Sequence, residues 1–180
     1  PPVGKSILGG IVFGIIGVEL GKLIFLKKQD RVSTGNKWIL PLAIGTAIGR
    51  IGCQICGLPD GTFGSAVPSW MPLAWDYGDG IARYPVALME ILFVLTVGCI
   101  LHNRVLKTND KSGIYFNYYI FLYCAWRVFI EFFKPPFDSS ATSFNTISIY
   151  WGLTGLQWFA LVSAVWMLIR IAKQRFHPHK

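Results

Sequence analysis

Apolar residues in this chain fall into five long runs, at 7–26, 38 to about 55, 86–101, 114–133 and 147 to about 171. Polar stretches rich in Gly, Pro or basic residues separate them. Most of the runs approach the length at which a helix crosses a hydrocarbon core, the third being shorter. The pattern predicts an all-α fold, a polytopic transmembrane helix bundle of about five spans. It forms a single integral-membrane domain covering residues 1–180. Pro41 is expected to interrupt the second run, because proline breaks the helical hydrogen-bond ladder. Composition points the same way, with 53% hydrophobic and only 14% charged residues, where a soluble domain carries about a quarter charged.

The cations are not spread evenly. Lys27, Lys28, Arg31 and Lys37 fill one short connector and Arg104, Lys107 and Lys111 another. Arg170, Lys173, Arg175 and Lys180 follow at the tail, so these three segments hold most of the 17 Lys and Arg residues. Positive charge accumulates on the cytoplasmic side of membrane proteins. The first span therefore runs from outside to inside and the C-terminus is cytoplasmic. A net charge of +8 then reports topology and contact with anionic lipid, not binding to nucleic acid.

This topology gives meaning to the ionisable residues inside the spans. Arg50 comes late in an outward-running span, Glu90 early in an inward-running one, and Arg127 and Glu131 late in another outward-running one. All four fall in the outer half of the membrane at similar depth. Tyr123, Arg127 and Glu131 follow one another at four-residue spacing and share one helical face. A charge at the centre of a span costs roughly 2.5–3.5 kcal/mol on insertion scales and usually faces a protein or water-lined interior. The residues form either a site or a set of packing pairs, and their shared depth favours the site. Gly49 and Gly52 flank Arg50, so the backbone there is expected to yield and present amides to an anion.

Other polar features carry less. Gly10/Gly14, Gly17/Gly21 and Gly45/Gly49 have the spacing that lets helices approach closely in lipid. Cys53 and Cys56 form a lone C-x-x-C, a weak metal or redox signal without a second pair; neither a metal nor a cofactor is expected. His102, His177 and His179 map to the cytoplasmic side. Glu19 reads as a local ion pair with Lys22. The 57–83 connection is long enough for a lid or binding loop, and Trp70 to Trp75 reads equally as an interfacial anchor.

Several segments together resemble the prolipoprotein diacylglyceryl transferase family. They are Ala47-Ile48-Gly49-Arg50-Ile51-Gly52-Cys53 followed by Gly57, Tyr84-Pro85-Val86-Ala87-Leu88-Met89-Glu90, and Tyr123-x-x-x-Arg127-x-x-x-Glu131-Phe132. Ser6-x-x-Gly9-Gly10 and Gly155-Leu156-Gln157-Trp158 bracket them. The resemblance implies a bacterial inner-membrane enzyme with its site open to the outer leaflet. It would move a diacylglyceryl group from phosphatidylglycerol to the lipobox cysteine thiol in the signal peptide of a prolipoprotein. Family members typically carry two further spans upstream, so the chain is expected to lack upstream helices.

Under that resemblance Arg127, Glu131 and Glu90 are the catalytic candidates, while Arg50, Tyr123, Gly49 and Gly52 bind substrate. Arg50 and Arg127 would hold the phosphate, Glu131 would orient Arg127, and Glu90 would position substrate or move a proton. The sequence departs from the family at Leu8, where a His proposed as general base usually stands, and at Met89 and Cys53. Glu90 and Glu131 are then the outer-side bases in view. The alternatives are a non-catalytic paralogue that binds anionic lipid and a small transporter component. Against transport, the inner half lacks a continuing chain of ionisable residues beyond Glu19 and Lys22.

Overall fold

The computed structural model describes residues 7–27, 33–134 and 149–176. Ser6, Lys28, Arg31, Pro135, Pro136, His177, His179 and Lys180 lie outside the described residues. Five helices account for most of what is described: α1 (Ile7–Phe25), α2 (Ile39–Cys56), α3 (Val86–Thr108), α4 (Ile114–Glu131) and α5 (Gly155–Phe176). Two short hairpins accompany them, β1 (Trp75–Asp76) with β2 (Ala82–Arg83), and β3 (Ile149–Tyr150) with β4 (Leu153–Thr154). The fold is an all-α polytopic bundle.

Four of the five helices are long and apolar enough to cross a membrane: α1, α2 with the turn before it, α3 and α5. The exception is α4, where Asn117, four tyrosines, Arg127 and Glu131 dilute the apolar residues. Its polar groups are accommodated by protein. α4 packs most extensively on α5 and also on α3, while α2 packs on α3. Asn117, Tyr119, Tyr123 and Arg127 are all buried.

Pro41 does not interrupt its helix. A 3-10 turn at Gly35–Trp38 leads into α2, and Pro41 occupies the first α-helical turn, where backbone N–H groups lack intrahelical acceptors anyway. The third run extends as helix to Thr108, so part of the expected basic connector is its last turns. The last run begins instead as the β3–β4 hairpin. α5 starts behind a reciprocal cap: the Gln157 N–H donates to Thr154 Oγ1 at 3.2 Å, and the Thr154 N–H donates to Gln157 Oε1 at 2.8 Å.

The glycine pairs noted in the sequence are not where the helices meet. A Cβ added at Gly10, Gly14, Gly17, Gly21, Gly45 or Gly49 would have nothing within 4 Å. The close approach is at Gly98, where a Cβ would sit 2.6 Å from that of Ala43. Replacing Gly98 with Ala must therefore push α2 and α3 apart, at a cost of about 1–3 kcal/mol. Thermal melts in detergent should show G98A losing stability and G10A, made as a control, keeping it.

The segment between α2 and α3 is stitched over one end of the bundle. Residues 64–67 pair with 82–84 through Gly64 N–H to the Tyr84 carbonyl (2.9 Å), Tyr84 N–H to Ser65 (3.2 Å) and Val67 N–H to Ala82 (2.8 Å). Ser65 donates twice to the Phe133 carbonyl, from its N–H at 2.7 Å and its hydroxyl at 3.1 Å. Arg83 lies buried beneath, paired to Asp79 at 2.7 Å, and its guanidinium holds the Asp79 carboxyl at about 2, well below the usual carboxylate range. At the opposite end, buried Asn36 donates to Asp110 and accepts from the Phe116 N–H, joining the turn before α2 to the start of α4. A groove of about 470 Å³ runs between α1 and the turn before α2, the start of α4 and the end of α5. Glu19 spans it to Arg170 at 2.9 Å rather than pairing with Lys22.

Candidate active site

Glu90 stands one turn into α3 and is fully buried, at 0% exposure. A carboxylate there must be compensated by cations or donors, because an unpaired buried charge costs several kcal/mol. Three side chains supply this. The Tyr123 hydroxyl donates to Oε1 at 2.9 Å, and Arg127 Nη1 donates to Oε2 at 2.9 Å. Arg50 brings Nε to 3.0 Å from the same Oε2, an ion pair whose N–H is not aligned for a hydrogen bond. Residues from α2, α3 and α4 thus meet on a single carboxyl group. Helical spacing explains the α4 contribution, since Tyr123 and Arg127 stack one turn apart.

Glu131, one turn beyond Arg127, sits farther out. Its Oε2 is 3.7 Å from Arg127 Nη2 and 3.1 Å from Lys134 Nζ. Glu90, not Glu131, therefore makes the closer contact with Arg127. Arg50, Arg127 and Lys134 face the two carboxylates Glu90 and Glu131, which leaves one cation in excess when Lys134 is protonated. Donors are also in surplus. Arg127 Nε is buried without a hydrogen-bond partner, and the hydrogen bond recorded for Arg50 is a 3.8 Å contact from Nη1 to Cys53 Sγ. A guanidinium offers more N–H groups than these contacts use, in the fork geometry that suits a phosphate.

The structure brings Arg50, Glu90, Tyr123, Arg127 and Glu131 together. It does not bring Gly49 and Gly52 to them. Both are exposed on the outward face of an unbroken α2, where helical amides bond to carbonyls four residues back. The backbone does not yield there to meet an anion. Cys53 and Cys56 are free thiols, the first lying beside Arg50. Leu8, at the position where a His would be expected, is packed in the hydrophobic core at 1% exposure.

Lys134 was not marked out by the sequence beyond its place in the charge count. The signal was available: it follows Glu131 by three residues and Arg127 by seven, so a helical turn carried past Glu131 puts all three on one side. Burial pushes its ammonium below the usual lysine value despite the neighbouring Glu131. Behind the site, Trp126 stacks on Phe93 at 4.3 Å between ring centres, and Phe129, Phe133 and Tyr84 continue the aromatic contacts out to the overlying segment. The Phe93–Trp126 pair braces α3 against α4 one turn along α3 from Glu90.

Comparison with known proteins is consistent along the chain. A family model described as prolipoprotein diacylglyceryl transferase matches residues 3–173. A phosphatidylglycerol–prolipoprotein diacylglyceryl transferase of Dehalococcoides mccartyi is 34% identical over 145 residues, covering 74% of this chain and 54% of its own. Proteins of the same name from Desulfotalea psychrophila and Salmonella arizonae are 30% and 28% identical, covering 71% of this chain and 50% and 52% of theirs. The chain spans about half the length of the curated relatives it matches. No solved structure gives a significant match.

Proposed function

The chain belongs to the prolipoprotein diacylglyceryl transferase family, and from that membership we propose that it transfers a diacylglyceryl group from phosphatidylglycerol to a lipobox cysteine thiol of a prolipoprotein. The observation that supports this most is the pair of guanidiniums held on one buried carboxylate with donors to spare. The nucleophile is the acceptor's thiol, so the chain needs no catalytic Cys or Ser of its own. Arg50 and Arg127 grip the lipid phosphate, and their charge stabilises the glycerol phosphate that leaves. Glu90 is engaged by Tyr123 and both arginines, so its role is to hold the grip in place. The aromatic flank and the 57–85 segment keep water from the reacting carbon. The site end of the bundle faces the outer leaflet of the bacterial inner membrane and the C-terminus lies in the cytoplasm.

The test is incubation of the purified chain with labelled phosphatidylglycerol and a lipobox peptide, read by mass spectrometry. A thioether-linked diacylglyceryl peptide is the expected product. Lipid retention without product would instead mark a paralogue that binds anionic lipid, a reading favoured by Leu8 standing in the core where the family is expected to carry an imidazole.

A further inference from the structure

Attack by a cysteine requires thiolate, because the thiol itself is a poor nucleophile. Some group near the reacting carbon must therefore take its proton. The arginines cannot, since guanidinium keeps its proton at any working pH. Glu90 is committed to two donors, Tyr123 and Arg127, and to an ion pair with Arg50. The histidine among the described residues, His102, lies about three turns along α3 from Glu90, roughly 18 Å away along the helix axis. Lys134 remains. It sits just past the last turn of α4, its side chain 16% exposed, its Nζ 3.1 Å from Glu131 Oε2 and so in the same cluster as Arg127. The groups facing it are Glu131 and Arg127 from α4 and Arg50 from α2, with Glu90 of α3 behind Arg127.

We propose that Lys134, beside Glu131 at the rim of the arginine cluster, is the base that accepts the acceptor thiol's proton; this rests on the transfer reading above. In the step, the S–H proton moves to neutral Nζ. The thiolate then forms an S–C bond with the terminal glyceryl carbon, and the C–O bond to phosphate breaks with its electron pair on the phosphate oxygen. The new ammonium is held by Glu131, and its proton then passes to water at the rim. With Lys134 neutral, two arginines match two carboxylates; the lysine becomes cationic as the departing phosphate gains its second charge, so the net charge of the site is unchanged across the step. Burial disfavours the ammonium and so lowers the cost of the neutral amine.

Lys134→Arg keeps the cation and removes the base. The expected result is a transfer rate lower by about 10²–10⁴-fold near pH 7 with labelled-lipid retention within about two-fold of the unaltered chain. The deficit should narrow as pH rises through the thiol's own ionisation at about 8.5. In Lys134→Ala, added methylamine should restore part of the rate in proportion to its free-base concentration. Normal transfer by K134R, a deficit constant across pH, or no rescue of K134A by amine would each overturn the assignment. An unaltered chain that retains lipid and makes no thioether overturns the transfer reading itself, which separates the two failures.

Discussion

Replacing Glu90 with Gln should both destabilise the bundle and abolish most transfer. The amide is nearly isosteric, so the effect isolates the charge. In the native site one carboxylate compensates Arg50 and Arg127 at 3.0 and 2.9 Å. Its loss leaves two guanidiniums facing each other in a buried space, with Glu131 lying 3.7 Å from one of them. Removing one partner of a buried ion pair costs about 3–5 kcal/mol, enough to lower a detergent melting midpoint by on the order of 10 °C. Glu90→Asp keeps the charge but shortens the reach, and should lose transfer more than stability. Wild-type melting and wild-type transfer in E90Q together would mean that the arginines do not depend on Glu90.

Arg127→Lys should do the reverse, sparing the fold while removing activity. A lysine retains the charge that Glu90 needs, so stability should stay within about 1 kcal/mol of wild type. What it loses is the fork. Arg127 bonds Glu90 through Nη1 and still has Nε buried and unpartnered, with Nη2 near Glu131. An ammonium anchored to Glu90 is a point charge without the rigid planar fork that meets a phosphate with two parallel N–H groups. Loss of such a positioned donor typically costs about 10²–10³ in rate. Rates of thioether formation, measured beside a melt of the same preparation, check both halves. Near-normal transfer would dispose of the two-armed grip.

Much of this arrangement was legible before any coordinates. Five helices follow from apolar run length, and the convergence of Arg50, Glu90 and Arg127 follows from charge topology applied to three separate spans. What escaped was set by tertiary contacts that periodicity does not encode. Glu131 looked like the partner of Arg127 because four-residue spacing is visible in a sequence, whereas the nearer partner, Glu90, comes from another helix. Glu19 was assigned to Lys22 for the same reason, yet it reaches Arg170 of α5. Small-residue spacing pointed at α1 and α2 glycines that face open space, while Gly98, alone in its run, makes the close contact. Pro41 was misplaced because its consequence depends on where the helix starts, and a preceding 3-10 turn moved that start close to it.

The double grip of Ser65 on the Phe133 carbonyl has a mechanical consequence. Phe133 is the residue immediately before Lys134, so the 57–85 segment and the lysine are joined through one peptide unit. The peptide that carries the lysine is thereby pinned from two sides, by Ser65 from the overlying segment and by its own N–H on the Glu131 carbonyl at 3.2 Å.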